Sequence, residues 1–364
     1  MIISPVHFPM YRFWPRRKRG DTFFDRPFYF ARGSWALAYG IIAIAKKKVK
    51  NTIRVWFPDY FCKEPLDILK NFSIEIEYYP IGRNLEPDWE ELEEMCRVTD
   101  APDAIVLVHY FGFPNNTAEA KKFCEGRGIE LIEDCAHVMA PYQKVGTMGT
   151  VAVFSPWKFF PLPLLGALQV REDLRGFVSV LSSRREVISG IRWHAKRAMQ
   201  GVLCAIGINW YARSHNALQP PLNLRGGVVS YAFPNTLSLK LFHKYIGQAD
   251  YICARRIENY RTLTAFLNEN YPDTLLVTEL PDGTVPYFLP CLLKGSAKQY
   301  VSELTLRGVP AVQWPALPDK VQANPTRFPW AHFYAEHLLL LPIHQNVSQR
   351  QVEYMKEQIN KVMR

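Results

Sequence analysis

The sequence lacks the residue spacings that mark the commonest metal and nucleotide sites. It has nine histidines and seven cysteines, but the histidines are scattered and no two cysteines stand in CxxC spacing. There is no HExxH, no Walker A motif, no GxGxxG after a predicted strand and no GxSxG. These absences disfavour zinc ribbons, zinc proteases, P-loop nucleotidases, Rossmann dinucleotide binding and the hydrolase nucleophile elbow. We expect no metal site.

Long apolar segments are missing as well. No apolar run approaches the roughly 18–20 residues needed to span a bilayer. The N-terminal residues show no apolar stretch followed by a small-residue cleavage site, so we predict no signal peptide. An odd number of cysteines without paired spacing disfavours a disulfide framework and favours a reducing compartment. We therefore predict a cytoplasmic protein.

The composition is that of a folded protein with more than one domain. Of its 364 residues, 48% are hydrophobic and 21% are charged, which allows a substantial core and disfavours global disorder. We predict an N-terminal arm over residues 1–27, a large domain over 28–235 and a smaller C-terminal domain with a connecting helix over 236–364. The basic run Arg16–Gly20 fits a solvated arm better than a localisation signal.

The net charge of +10 favours acidic partners, such as phosphorylated metabolites or an anionic membrane surface. Nucleic acid binding would rest on net charge alone, so we do not expect it. The basic segment 183–215 mixes arginines and lysines with large apolar residues, as an interfacial helix does. A helix packed on the body with a solvated basic face is the favoured interpretation, and peripheral membrane contact through 183–215 is the alternative.

The order of predicted elements indicates an α/β fold with a mostly parallel sheet. Apolar, β-branched runs alternate with helical patterns of about ten residues, which is typical of βαβ units. Right-handed crossovers then bring the carboxyl ends of the strands to one edge. Strands are predicted at 52–58, 73–79, 104–108, 129–133 and 151–154, and helices at 63–70, 88–96 and 117–126.

Two of these strands end on residues with matching chemistry. The strand over 129–133 runs into Asp134, and the strand over 151–154 is followed by Ser155 and Lys158. A lysine among aromatic and apolar residues is partly desolvated, which lowers its pKa and favours the nucleophilic amine. An acid and an amine at one edge suit pyridoxal phosphate (PLP), which needs a charge partner for its ring nitrogen and an amine anchor. On spacing alone, a loop lysine that reaches solvent is the favoured interpretation of Lys158, and a strand-end cap or salt-bridge partner is the alternative for Asp134.

Further candidates surround this pair. Ser34 is predicted to cap a helix through residue 50, and Gly33, Ser34 and Trp35 would place free N–H groups at a phosphate, with Ser155 adding a hydroxyl. His137 could contact the ring hydroxyl of PLP or Asp134. An ordinary N-cap and a structural histidine are the alternatives. The residues expected to pack on the cofactor ring, or simply in the core, are Tyr60, Phe61 and Cys62.

Taken in order, these pieces resemble the DegT-type, PLP-dependent nucleotide-sugar aminotransferases of fold type I, from about residue 30 to 360. RGSWALAYGI is similar to the phosphate loop of that family, VWFPDYFC to its proline-ended strand, and LVHYFGFP to its VHxxG motif. IEDCAHVMAP resembles its EDxAH/Q motif, and FSPWKFFPLPLLGAL a variant of its SFxxxK…GG segment. The C-terminal segments RRIENYRTLTAFL, RGVPAVQWPALPD and LLLLPIHQNVSQRQVEYM resemble its closing pattern.

The resemblance implies a homodimeric aminotransferase that takes nitrogen from an amino acid, glutamate in most of the family, and gives it to a keto sugar in glycan or polysaccharide biosynthesis. It implies that Lys158 is the Schiff-base lysine, Asp134 the partner of the pyridine nitrogen and His137 a ring contact. The phosphate contacts it implies are Ser34, Trp35 and Ser155.

Two other functions stay open at this point. One keeps the cofactor and changes the reaction, to that of a sugar dehydratase or another PLP lyase; a dehydratase of this family would carry histidine in place of the lysine, so Lys158 disfavours it. A catalytically silent PLP fold that acts as a binding or regulatory protein is suggested by the bulky Trp35 in the phosphate loop and by Leu165, which stands where the family has a glycine.

Overall fold

A seven-stranded, mostly parallel sheet organises the first half of the protein. The computed structural model describes residues 1–5, 23–179, 187–212, 232–314 and 316–363. The sheet has the strand order β1-β7-β6-β5-β4-β2-β3. Strands β2 to β6 are parallel to one another, whereas β7 is antiparallel to both of its neighbours, β6 and β1. The strands are β1 (Phe28–Phe30), β2 (Ile53–Pro58), β3 (Ile74–Tyr79), β4 (Ala104–Val108), β5 (Glu130–Cys135), β6 (Val151–Phe154) and β7 (Gly166–Val170).

The predicted βαβ units are confirmed by the helices between these strands. They are α1 (Gly33–Lys47), α2 (Lys63–Leu69), α3 (Trp89–Val98) and α4 (Thr117–Cys124). Asp88 and Asn116 cap α3 and α4 by accepting the N–H groups of Glu91 and Glu119. Strand β4 is buried along its whole length, as expected for a central strand covered on both faces.

A second sheet lies in the C-terminal part. It is antiparallel, with the order β8-β10-β9 formed by β8 (Phe288–Leu292), β9 (Val312–Gln313) and β10 (Leu338–Pro342). Its helices are α6 (Thr236–Tyr245), α7 (Ala249–Asn270), α8 (Ala297–Leu306), α9 (Asp319–Gln322), α10 (Pro329–His337) and α11 (Gln349–Met363). Helix α5 (Val187–Ala205) lies between the two parts in sequence. The predicted domain boundary near residue 235 stays a prediction.

Two local predictions were wrong and one strand was missed. Helix α1 begins at Gly33 with Arg32 at the N-cap position, so Ser34 lies in its first turn and does not cap it. The connecting helix expected in the C-terminal domain is two helices, because a short 3₁₀ turn over Ile246–Gln248 separates α6 from α7. Strand β10, LLLLP, was not predicted, since a fully buried apolar run has no alternating pattern to identify it.

Candidate functional site

The carboxyl ends of β5 and β6 bring the predicted acid and amine to the same edge. The two strands are parallel neighbours, with Asp134 opposite Val153 and Cys135 opposite Phe154. After β6 the chain turns through Ser155 into a 3₁₀ turn over Pro156–Lys158, and the Lys158 N–H donates to the Ser155 carbonyl at 3.0 Å. This tight turn keeps Lys158 at the carboxyl edge of the sheet, where it interacts electrostatically with Asp134 of β5.

Burial and mutual attraction set the charge states of this pair. Burial lowers the pKa of Lys158, while Asp134, Cys62 and Glu64 act in the opposite direction. Burial also raises the pKa of Asp134, against the Ala136 N–H that its Oδ1 accepts at 2.9 Å and the charge of Lys158. Both residues are half-buried, so the pair is partly desolvated and the amine releases its proton more easily than a solvated lysine.

The His137 ring stacks on two aromatic rings. It stacks on Tyr287 with centroids 4.8 Å apart and on Phe111 at 5.9 Å. Its Nδ1 accepts the Phe111 N–H at 3.3 Å, so the ring proton lies on Nε2. Burial and the charge of Lys158 lower the pKa of His137 well below its usual value. His137 is therefore a neutral donor whose faces are covered and whose edge alone is left for a polar contact.

A close approach between α1 and β6 forms a cradle at the start of the helix. A methyl group on Gly33 would lie 2.2 Å from Ser155 Oγ, so only glycine allows the hydroxyl to stand there. The first intrahelical hydrogen bond of α1 joins the Ala36 N–H to the Arg32 carbonyl, which leaves the preceding N–H groups directed out of the helix. The guanidinium of Arg32 pairs with Glu64 of α2. This arrangement suits a phosphate.

The other predicted contacts are placed differently. Trp35 is almost fully buried and packs edge-on against Phe72, so its backbone N–H is the group it can offer a ligand. Phe61 packs on Phe57 in the core, with centroids 5.0 Å apart. Cys62 lies at the start of α2, where burial raises the pKa of its thiol to about 11, and it interacts electrostatically with Lys158 and Asp134.

A buried arginine, Arg256, contacts the turn that carries Lys158 and was not identified from the sequence. Arg256 of α7 donates from Nη2 to the Lys158 carbonyl at 3.4 Å and from Nη1 to the Tyr287 carbonyl at 3.0 Å. Its Nε donates to Gln345 Oε1 at 3.1 Å, and Gln345 Nε2 donates to the Phe159 carbonyl at 2.7 Å. Burial lowers the pKa of Arg256 to about 10. This Arg256–Gln345 clamp ties the turn to the C-terminal part.

A second feature that was not identified from the sequence is the hydrogen-bond network of Glu133 on β5. Glu133 accepts the Met148 and Gly149 N–H groups on Oε1, at 2.8 and 2.6 Å, and the Gly146 N–H on Oε2 at 2.7 Å. His109 Nε2 lies 3.1 Å from the same Oε2, and its Nδ1 accepts the Asn115 N–H. These bonds lower the pKa of Glu133 despite its burial. Cys135 stands close by, but the carboxylate and the imidazole already have partners, which makes the group structural.

An open cleft of about 1010 Å³ lies beside the site. Phe111 belongs to both places, because its ring stacks on His137 and also lines the cleft. Lys158, Asp134 and Ser155 do not line it. The other cleft residues include Arg83, Glu86, Asp273, Trp330 and Phe333. The cleft is thus adjacent to the amine and carboxylate but distinct from them.

Comparison with known proteins confirms the resemblance predicted from the sequence. The sequence model of the DegT/DnrJ/EryC1/StrS aminotransferase family matches residues 82–167, which include β4, β5, β6 and Lys158. A dTDP-4-dehydro-2,3,6-trideoxy-D-glucose 4-aminotransferase of Saccharopolyspora spinosa is 26% identical over 289 residues, 77% of this chain and 70% of that protein. A GDP-4-keto-6-deoxy-D-mannose 3-dehydratase of Escherichia coli O55:H7 is 36% identical over 91 residues, 24% of this chain and 23% of that protein.

Solved structures confirm the fold. The aminotransferase TlmJ of Streptoalloteichus hindustanus is similar with a TM-score of 0.67 at 19% identity, over 92% of this chain and 85% of that one. NtdA of Bacillus subtilis, whose structure contains the cofactor PMP, has a TM-score of 0.66 at 15% identity over 93% and 73%. The E. coli GDP-4-keto-6-deoxy-D-mannose-3-dehydratase with bound hydrated PLP has a TM-score of 0.64 at 19% identity over 92% and 87%. The predicted α/β architecture of fold type I is therefore correct.

Proposed function

We propose that this chain, which carries a DegT/DnrJ/EryC1/StrS aminotransferase family domain over residues 82–167, is a PLP-dependent aminotransferase. It moves an amino group from an amino acid, glutamate in this proposal, to a nucleotide-linked keto sugar. The products are the keto acid and the amino sugar. The observation that carries the proposal is the half-buried Lys158, whose amine interacts electrostatically with Asp134 at the carboxyl edge of a parallel sheet.

The residues present fit the cofactor. The cradle of Gly33 and Ser155 at the start of α1 leaves no room for a side chain but offers a hydroxyl and helix N–H groups, as a phosphate requires. Asp134 supplies a carboxylate for a ring nitrogen, and Lys158 supplies the amine. When bound, PLP draws electrons away from the substrate carbon that carries the transferred nitrogen.

The protein's own groups do the proton chemistry. Lys158, with its lowered pKa, can accept a proton from a substrate carbon as a neutral amine and return it elsewhere. Asp134 contributes a negative charge in a desolvated setting, where it favours a positive charge nearby. His137 is held neutral, so it can donate from Nε2 without competing for that proton. The Tyr287 ring lies 5.6 Å from Lys158 Nζ and packs on His137 and Phe159.

The substrate class follows from the relatives. The Saccharopolyspora spinosa protein acts, by its name, on a dTDP-linked keto sugar, and it spans most of this chain. A role in glycan or polysaccharide biosynthesis, a homodimeric assembly and a cytoplasmic location remain parts of this proposal. No helix among the described residues is long and apolar enough to cross a membrane.

Trapping the cofactor on the protein tests the assignment of Lys158. Purified protein is mixed with PLP, reduced with borohydride and digested, and the modified peptide is identified by mass spectrometry. We expect the cofactor mass on Lys158 and its loss in Lys158→Ala. The matched control is Lys144→Ala, which removes an exposed lysine from a nearby loop. Modification that stays unchanged in Lys158→Ala would contradict the proposal.

A dehydratase is the second candidate, because the dehydratase of E. coli O55:H7 shares 36% identity with this chain over 91 residues. Lys158 argues against it, since a dehydratase of this family would carry histidine there. Product analysis separates the two: a keto sugar incubated with the protein and ¹⁵N-glutamate gains ¹⁵N from an aminotransferase, whereas a dehydratase releases a sugar that has lost water and carries no ¹⁵N.

A further inference from the structure

Exposed apolar side chains collect in one region of the surface. Ten large hydrophobic side chains of the described residues are exposed, and six of them lie in α5, the turn after it and two neighbouring segments. Asn209 joins these segments by donating to the Thr305 carbonyl at 2.7 Å, and the Ile3 N–H donates to the Gly308 carbonyl at 2.8 Å. The apolar patch, as we define it, consists of Met1, Met199, Val202, Ile206, Ile208 and Leu306.

Helix α5 presents the patch away from the protein. Met199 and Val202 of α5, with Ile206 in the turn directly after it, follow the spacing i, i+3, i+7 of one helical face and are 58%, 59% and 65% exposed. Gln200 and Cys204 are buried on another face of the same helix. A surface helix normally buries its apolar stripe, and contiguous exposed apolar residues mark interaction sites. The exposed stripe of α5 is therefore an interaction surface.

The charged residues of α5 and the residue that follows Leu306 are all basic. Residues 187–249 contain seven Lys or Arg and no Asp or Glu. Arg192 and Lys196 are exposed on α5 before Met199, and Arg307 is exposed next to Leu306. The one acid of α8, Glu303, is half-buried and lies within reach of the Gln299 amide. We call Arg192, Lys196 and Arg307 the basic rim.

We propose that the apolar patch and its basic rim dock the protein on an anionic lipid surface. The patch enters the boundary between headgroups and acyl chains, and the basic rim lies at the level of the lipid phosphates. This inference goes beyond the proposed aminotransferase function and does not depend on it.

Charge selects this occupant over a second copy of the chain. A two-fold contact brings the same patch of both subunits together, so the basic rim of one copy would face the basic rim of the other. Such a contact would have to overcome like-charge repulsion, whereas an anionic membrane attracts the whole rim.

Vesicle flotation tests the proposal with the full-length protein. Vesicles of phosphatidylcholine are compared with vesicles of phosphatidylcholine and phosphatidylserine, and we expect flotation with the second kind only. The double variant Val202→Glu/Ile206→Glu should reduce the floated fraction at least tenfold. Its matched control is Val98→Glu, which introduces the same change at an exposed valine of α3 and should float like the wild type.

A charge variant at two exposed positions gives a second measurement. Arg192→Glu/Lys196→Glu should lose flotation while keeping the wild-type melting temperature and the cofactor absorption band. The absorption band measures the proposed PLP site, whereas flotation measures docking. A protein that shows no absorption band can therefore still confirm or contradict the docking.

Three outcomes would overturn the proposal. They are no flotation of the wild type with phosphatidylserine, equal flotation with phosphatidylcholine alone, or loss of a dimer in Val202→Glu/Ile206→Glu during sedimentation. The last result would assign the patch to contact between copies of this chain.

Discussion

At the scale of single residues, burial determines what the ionisable groups of the site can do. Lys158 and Asp134 are opposite charges in a desolvated setting, where burial lowers the pKa of the amine and raises that of the carboxyl while each favours the charged form of the other. His137 has no such partner, and its pKa falls well below the usual value. The site therefore combines a labile amine, a carboxylate and a neutral imidazole.

Gly33 gives a prediction for the phosphate cradle. In Gly33→Ala the new methyl group would lie 2.2 Å from Ser155 Oγ, so the hydroxyl must rotate out of the cradle. We expect PLP affinity to fall about tenfold, the loss of one good hydrogen bond, when it is measured by absorbance titration. Gly176→Ala is the control, since a methyl group there meets nothing. Unchanged affinity in Gly33→Ala would place the phosphate elsewhere.

His344 gives a prediction for pH dependence. Burial lowers the pKa of His344 to about 4, and its Nε2 lies 2.8 Å from the Ser4 carbonyl while its Nδ1 accepts the Asn346 N–H. The unfolded chain binds this proton near pH 6.5 and the folded chain only near pH 4. The stability contributed by neutral His344 is therefore complete above about pH 6.5 and is lost as the pH falls toward 4, by about 3 kcal/mol.

Denaturant unfolding of His344→Gln at several pH values measures this contribution. Glutamine can still donate to the Ser4 carbonyl but does not titrate, so the difference in unfolding free energy between wild type and variant should change with pH in that window. A difference that stays constant from pH 7 to pH 4 would contradict the buried neutral histidine.

At the scale of elements, the Lys158 turn depends on contacts from distant parts of the chain. The turn itself is short, and the groups that hold its carbonyls come from α7 and from the loop after β10. Arg256 also lies over the rings of Phe159 and Tyr287, at 4.7 and 5.8 Å from their centroids. The C-terminal part thus sets the position of an amine that belongs to the sheet.

Replacing Arg256 tests this positioning role. Arg256→Lys cannot donate to Lys158, Tyr287 and Gln345 at once, because an ammonium lacks the fixed fork of the guanidinium. We expect the free energy of unfolding to fall by about 2 kcal/mol and the pH at which the bound cofactor's absorption changes to shift. Arg261→Lys, at an exposed position of the same helix, is the control. Lower stability with an unshifted absorption profile would make Arg256 purely structural.

Elements with a local signature were predictable from the sequence. Strand β4 was predicted over the residues it occupies, 104–108, and the predicted ends of α2 and α3 lie within two residues of the observed ones. Both depend on neighbouring residues, through periodic patterns and the Asp88 cap. Strand β10 and the break between α6 and α7 were missed, since tertiary packing decides them. The pairing of Asp134 with Lys158 followed from parallel topology, whereas Arg256 lies 98 residues from Lys158 and nothing local points to it.

At the scale of the whole molecule, a mostly parallel sheet carries the proposed site residues Asp134 and Lys158, and the C-terminal part contacts the turn that holds Lys158. Trp314, which follows β9, stacks on Tyr60 at 5.0 Å and meets His137 edge-on at 5.6 Å, so the aromatic wall of the site is shared between the two parts. The apolar patch lies on a third segment, α5 and its neighbours, which leaves membrane docking independent of the site residues.

The most direct test of the central claim is the visible absorption spectrum of the PLP-loaded protein before and after addition of glutamate. We expect the band of the lysine-bound cofactor to disappear and the band of the aminated cofactor to replace it, with one 2-oxoglutarate released per site. Lys158→Ala should show no lysine-bound band. A wild-type protein that binds no PLP, or whose band no amino acid donor changes, would contradict the aminotransferase account.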